Sequence, residues 1–283
     1  MKTPDVITTV PALRARLAER RRHEGARLGL VPTMGALHQG HLSLIASAAE
    51  RAVHVAVSIF VNPRQFGPTE DLQRYPRNLD NDRAKIAAQG LTDVIFAPDN
   101  VEIYPNGFAT EVRIGGPARG LESDFRPNFF AGVATVVAKL LIAVTPDLAV
   151  FGEKDYQQLL VVRRLVRDLG LPIEIVGAPI VREVDGLAMS SRNAYLGPRE
   201  RAIAGQLNRV LARAAERARS GISIPDAERE GKEALLAAGF DSVDYVTVRD
   251  AQTLAPLTRV TGETRILAAA TISGTRLIDN MAV

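Results

Sequence analysis

Two histidines three residues apart, His38 and His41, close a run of small residues, Pro32-Thr33-Met34-Gly35-Ala36-Leu37-His38-Gln39-Gly40-His41. An apolar stretch, Leu28–Val31, precedes the run, and a helix-like one, Leu42–Glu50, follows it. Strand, turn and helix start is an arrangement that holds a phosphate. Free backbone N–H groups and the positive end of the helix dipole converge there, and imidazoles at that mouth add donors. A tight turn carrying two surface histidines fits the same residues.

Three more segments carry groups of use to such a site. Ser58–Phe66 contains Asn62 and Gln65, whose amides can orient a small polar substrate; a proline-containing turn with self-satisfied amides is the alternative. Gly152-Glu153-Lys154-Asp155 follows a strand-like run and opens a helix. Lys154 beside a helix N-terminus is unfavourable unless an anion sits between them, whereas Asp155 also suits a simple cap. Gln158 lies one turn past Lys154. The third segment, Val181–Asn193, includes Met189-Ser190-Ser191-Arg192, two hydroxyls and a guanidinium suited to phosphate oxygens, or a polar loop starting a helix. Asp82, in Tyr75–Asp82, is a candidate ligand for Mg²⁺, which commonly binds through phosphates and one or two carboxylates.

The elements that must position these groups alternate along the chain. Runs rich in Val and Ile at Leu28–Val31, Val53–Val61, Asp93–Ala97, Leu148–Phe151 and Ile173–Val176 read as strands. Helical patterns at Leu42–Glu50, Leu79–Gln89, Val133–Val144 and Tyr156–Leu169 fill the gaps. Such alternation predicts an α/β fold, a Rossmann-like doubly wound parallel sheet covered on both faces. The four segments other than Tyr75–Asp82 then lie beyond the carboxyl ends of strands, where such sheets bind ligands. Glu111–Ile114 reads as a small extra strand. After about residue 177 the texture changes: a long helix over Pro198–Ser220, a second over Pro225–Ala238 ending at Gly239, and strands at Val243–Arg249 and Arg265–Ile272. This predicts two domains, residues 1–176 and a smaller C-terminal α+β domain, 177–283.

Composition bounds the function. The 283 residues carry a net charge of only +3 and are 46% hydrophobic and 24% charged, the balance of a globular protein. The absence of cysteine excludes disulfides, thiolate nucleophiles and cysteine-held metal sites. Met1–Val10 lacks a signal pattern, and the longest apolar stretch, Ala131–Val144, is too short to span a bilayer. No membrane partner and a cytoplasmic location are therefore expected. The basic stretch Arg14–Arg27 reads as a solvated helix face. With aromatics at 5% and no cluster for base stacking, no nucleic acid is expected as a partner.

Six ordered segments, PTMGALHQGHLSLI, SIFVNPRQF, YPR, GVATVVAKL, FGEKDYQQL and VREVDGLAMSSRNAYL, closely resemble the pantoate–β-alanine ligase (pantothenate synthetase) family over most of residues 28–196, and more weakly to Asp279-Asn280. His38-Gln39-Gly40-His41 looks like the His-x-Gly-His signature of the wider nucleotidylyltransferase group. Met189–Arg192 looks like that group's Lys-Met-Ser-Lys-Ser loop.

The resemblance implies that the carboxylate of (R)-pantoate attacks the α-phosphate of ATP, releasing pyrophosphate. The amine of β-alanine then displaces AMP from the pantoyl adenylate to give pantothenate. By the same resemblance Pro32 to His41, Gly152 to Asp155, Val181 and Met189 to Arg192 bind ATP, with His41 the proton donor. Gln65 and Gln158 contact pantoate, and Gln65 also β-alanine, with Asn62 beside them. His38, Lys154, Ser190, Ser191 and Arg192 supply donors to charge growing on phosphate oxygens. Mg²⁺ accompanies ATP, the enzyme is a homodimer, and the 177–283 domain closes as a lid.

One departure stands out: Arg126-Pro127-Asn128-Phe129-Phe130 has phenylalanine where the family usually has histidine. The nearest rival is an adenylyltransferase of the same fold that forms no amide.

Overall fold

Strands that read as unbroken apolar runs need cover on both faces, and helices supply it here. The computed structural model describes residues 4–20, 25–68 and 70–283. They form two compact units, Met1–Glu153 with Val161–Pro179, and Lys154–Leu160 with Ile180–Val283.

The first unit is built on β1 (Asp5–Ile7), α1 (Val10–Arg20), β2 (Leu28–Thr33), α2 (Gln39–Ala49), β3 (His54–Ile59), α3 (Leu79–Gln89), β4 (Val94–Phe96), short helices α4 (Asn100–Ile103) and α5 (Glu122–Phe125), α6 (Phe129–Val144), β5 (Leu148–Gly152) and β6 (Glu174–Ala178). Helix α7 (Tyr156–Asp168) begins among the residues of the second unit and ends among those of the first. The six strands are parallel, in the order β1-β4-β3-β2-β5-β6. From β2 the chain fills one side with β3 and β4, then returns to the other side with β5, so the order reverses between β2 and β5. On one face Ile45 and Ala48 of α2 and Ile86 of α3 pack on Val31, Val57, Ile95 and Val150. On the other, α6 lies against β2 and α1. Helix α6 is apolar nearly all round and correspondingly buried, with Ile142 the exposed exception among its large apolar residues.

Two segments of this unit differ from the sequence reading, and a third lies partly outside the described residues. The three-residue edge strand β1 is too short for a periodic signal. Glu111–Ile114 forms no strand; Val112 N instead donates to Thr135 Oγ1 of α6 at 2.9 Å. Of the basic stretch Arg14–Arg27, residues 21–24, His23 included, lie outside the described residues. Arg16 within it is tied to Asp5 and Glu19, each at 2.7 Å, as a solvated face would be.

The second unit stacks α8 (Pro198–Ala204), α9 (Gln206–Arg219) and α10 (Ile224–Ala238) with an antiparallel sheet of β7 (Ser242–Asp250), β8 (Thr264–Ile272) and β9 (Thr275–Ala282). Leu207, Leu211 and Ala215 of α9 and Leu235 of α10 share a core with Val246, Ile266 and Ala268. The expected single helix Pro198–Ser220 is interrupted at Gly205. A Cβ there would stand 3.0 Å from Asp185 Oδ2, so the break admits a loop carboxylate to the helix backbone. Strands β8 and β9 join through Ser273-Gly274, both with positive φ (46° and 73°), the tight hairpin turn whose twist suits antiparallel strands.

Candidate active site

In the first unit, β2 ends at Thr33 and its neighbour β5 at Gly152, so the Met34–His41 loop and Gly152-Glu153 leave the sheet side by side, at the point where strand order reverses. The loop turns through two consecutive left-handed residues, Gly35 (φ 81°) and Ala36 (φ 51°), before α2 begins.

His38 is the N-cap of α2. Its Nδ1 accepts from Gly40 N at 3.1 Å, and His41 Nδ1 accepts from His38 N at 3.3 Å. The two imidazoles thus form a reciprocal capping box, with rings 4.1 Å apart between centroids. An Nδ1 that accepts a hydrogen bond fixes the neutral ring as its Nε2–H tautomer, an assignment made from the network. Each imidazole is therefore an Nε2–H donor held at the positive end of a helix.

The backbone differs from the sequence expectation of free N–H groups. Ala36 N and Leu37 N donate to the two carboxylate oxygens of Asp82, Gly35 N donates to Thr33 Oγ1, and the N–H groups of His38 and Gly40 serve the imidazoles. Buried polar groups take protein partners where they can, so these five backbone N–H groups are already engaged, and the imidazole Nε2–H groups are the side-chain donors that the loop adds.

Gln65 is brought to the same loop, its Nε2 2.9 Å from Met34 Sδ. Asn62 is buried, and its amide is spent inside the protein. Its Nδ2 donates to Gln65 Oε1 (3.0 Å) and Gly132 O (3.1 Å), while its Oδ1 accepts from Tyr104 OH (2.7 Å) and Arg64 N (3.3 Å). Gly132 of α6 makes the approach possible, since a Cβ there would fall 2.2 Å from Arg64 O. Burial pushes the Tyr104 phenol up to about 12, against the opposing charge of Arg64, so it remains a donor. Neither Tyr104 nor Gly132 carries a sequence signal for this role.

Phe129 lies under the Arg126 guanidinium, 3.7 Å from ring centre to Cζ, while Arg126 grips Glu70 through two nitrogens. In place of a hydrogen-bonding histidine the loop has a stacked ring.

The second unit holds the remaining candidates. Val181 O accepts from Met189 N (2.9 Å) and Arg182 bridges to Ala188, making a small hairpin turned at Asp185-Gly186. Ser190 follows as the N-cap of the short helix Ser191–Tyr195, its Oγ accepting from Arg192 N. Arg182 grips Asp279 of β9 with both terminal nitrogens, at 2.7 and 3.0 Å. Asp185 pairs with Arg201 at 2.6 Å. Next to Asp279, Asn280 Nδ2 donates to Lys154 O at 2.9 Å. One step of β9 therefore pins both the hairpin carrying Met189–Arg192 and the backbone of Lys154. Lys154, Asp155 and Gln158 are half-buried, with Lys154 Nζ 3.9 Å from Asp155 Oδ2.

Among the described residues no group of three or more His, Asp or Glu side chains suits a metal ion, and no helix is long and apolar enough to cross a membrane.

The sequence pattern of the Pantoate-beta-alanine ligase family matches residues 5–282. A pantothenate synthetase of Mesorhizobium japonicum is 56% identical over 283 residues, covering 100% of this chain and 99% of the relative. That of Paramagnetospirillum magneticum is 53% identical over 278 residues, covering 98% and 97%. Among solved structures, the Thermus thermophilus pantothenate synthetase superposes with a TM-score of 0.91 at 48% identity, covering 98% of this chain and 99% of that one. A Francisella tularensis pantoate-beta-alanine ligase complexed with beta-gamma ATP and beta-alanine gives 0.83 at 32% identity, covering 99% and 97%.

Proposed function

The chain belongs to the pantoate–β-alanine ligase family, and from that premise we propose that it condenses (R)-pantoate with β-alanine at the expense of ATP, through an enzyme-held pantoyl adenylate. In the first step a pantoate carboxylate oxygen bonds to the α-phosphorus as the bond to pyrophosphate breaks. In the second the β-alanine amine bonds to the acyl carbon, AMP leaves, and the amine gives up a proton. Phosphoryl and acyl chemistry of this kind asks the protein for positioning and charge stabilisation.

The observation that carries the proposal is the pair of imidazoles capping one another at the reversal of strand order, which makes both Nε2 atoms donors without protonating either ring. His41, with His38, is assigned to the phosphate charge that develops in the first step. By the resemblance Pro32 to Gln39, Gly40, Gly152, Glu153, Lys154, Asp155, Val181, Met189, Ser190, Ser191 and Arg192 are assigned to ATP. Gln65, steadied by Asn62, is assigned to pantoate and β-alanine, and Gln158 to pantoate.

Mg²⁺ enters as part of the MgATP substrate, bound by phosphate oxygens and water. Among the described residues no cluster of His, Asp or Glu suits an ion, and each oxygen of Asp82 is already held by a backbone N–H group. A homodimer rests on the resemblance, and a cytoplasmic location on the cysteine-free composition. Light scattering tests the first against the 30.5 kDa chain.

The decisive measurement is AMP and pyrophosphate formation with ATP, pantoate and β-alanine, each omitted in turn. Pyrophosphate release should require pantoate, and stoichiometric AMP release β-alanine. AMP transfer to a phosphate acceptor without amide formation would replace this reading with the rival adenylyltransferase. His41→Ala should lower the first step about a hundred- to a thousandfold; near-normal adenylate formation would remove His41 from the mechanism.

A further inference from the structure

We propose that one face of α3, formed by Asp82, Lys85 and Gln89, is the positioning element of the His38–His41 loop, and that Asp82 serves there as a backbone clamp and not as a cation ligand. The inference rests on the function proposed above. The three residues stand at i, i+3 and i+7, so they line one side of the helix. Each reaches a backbone group of the loop or of the helix start beyond it. Asp82, 1% exposed, accepts from Ala36 N at 2.9 Å and Leu37 N at 2.7 Å. One turn later Lys85 Nζ donates to Leu37 O at 2.6 Å, and a further turn on Gln89 Nε2 donates to Leu42 O at 2.8 Å. These contacts bracket His38 and His41: residues 36 and 37 are held on one side and residue 42 on the other.

The clamp explains three features together. A left-handed alanine, Ala36, is costly unless the surroundings fix it, and the carboxylate on the N–H groups of Ala36 and Leu37 does so. Position 35 must be small, since a Cβ there would lie 3.0 Å from Asp82 Oδ2. A cavity of about 470 Å³ opens beside Met34, Gly35, Phe60 and Asp82. A loop released from α3 has that space to relax into, carrying the imidazoles out of register. The carboxylate itself is satisfied by two charge-assisted hydrogen bonds, one to each oxygen, and the Lys85 ammonium stands one turn away on the same helix face.

Asp82→Asn is nearly isosteric but turns an NH₂ toward a backbone N–H. Pantoate-dependent pyrophosphate release should fall about 10- to 100-fold in kcat, the loss typical of supporting residues. The Mg²⁺ concentration for half-maximal rate should stay as in the parent protein. Lys85→Met should lower kcat in the same direction, by about fivefold, the worth of one hydrogen bond. In ¹H–¹⁵N spectra the amide protons of Ala36 and Leu37 should lie downfield in the parent and move upfield in Asp82→Asn. A half-maximal Mg²⁺ concentration raised tenfold, with rate restored at saturation, would make Asp82 a ligand and overturn the proposal. Parent-like kcat in both variants would do the same. Should Asp82→Asn fail to fold, Lys85→Met and the parent amide shifts decide. A parent protein that forms no pyrophosphate would defeat the functional reading, while the amide shifts would still judge the clamp.

Discussion

The two units fix their candidate ligand loops by different means. In the first, side chains of a helix grip backbone groups: Asp82 and Lys85 hold Ala36 and Leu37, and Asn62 holds the turn before Gln65 through Gly132 O. In the second, ion pairs hold the Val181–Arg192 segment, Arg182 with the buried Asp279 and Arg201 with Asp185, beside one amide grip of Asn280 on Lys154 O. A backbone grip spreads its energy over several modest hydrogen bonds and conveys shape. A buried ion pair concentrates its energy in two residues, and removing one partner strands the other's charge. The first arrangement should fail gradually and the second abruptly.

Arg182→Met tests the abrupt case and has the largest expected effect. It leaves the fully buried Asp279 carboxylate without its guanidinium, and urea unfolding should show a loss of about 3–5 kcal/mol. The double variant Arg182→Met/Asp279→Leu should recover much of that loss. A single-variant cost below about 1 kcal/mol, the range of exposed pairs, would erase the distinction between the units.

Gly132→Ala probes the backbone grip sterically. Its Cβ would stand 2.2 Å from Arg64 O, so helix and turn must part, at about 1–3 kcal/mol for overpacking. Because Gln65 follows Arg64, KM for pantoate should rise with that loss; an unchanged KM would separate the turn from the substrate.

Tyr104→Phe removes one bond of the network and should cost only about 1 kcal/mol at neutral pH. The pH dependence sharpens it. The folded phenol titrates at about 12 against an ordinary 10.0, so its contribution is complete below about pH 10 and declines as pH rises toward 12, where the unfolded chain ionises first. The Phe variant should lack this part of the alkaline decline in a pH series of unfolding curves.

The parallel core was legible because Leu28–Val31, Val53–Val61, Asp93–Ala97 and Leu148–Phe151 are apolar runs of strand length divided by helical periods. Strand β9 was not, because Asp279 and Asn280 are both buried there and interrupt the apolar alternation that marks a half-buried strand. Glu111–Ile114 misled in the opposite sense, having strand-like residues whose Val112 N–H is taken by the Thr135 side chain. At the site, His38, His41, Gln65 and Met189–Arg192 stood out by type and spacing. Asp82 stood out as a carboxylate, but its geometry serves the backbone. Gly132 and Arg182 lie within segments that stood out and Tyr104 and Lys85 do not, but nothing local gives the roles of any of the four, which depend on partners far away in the chain.

Sequence alone placed two imidazoles one turn apart at a helix start; that they cap the loop backbone, in place of the free N–H groups expected, came from the structure. The three-residue spacing of His38 and His41 at a helix start lets each imidazole cap the other's backbone, and so sets the tautomer both present. The tertiary structure decided what acts across the fold. Asp82 meets Ala36 over a separation of 46 residues, and Asp279 meets Arg182 over 97. Such contacts form only where helix packing and strand register bring the partners together. No run of neighbouring residues encodes the register that places Asp279 beside Ala268 and within reach of Arg182.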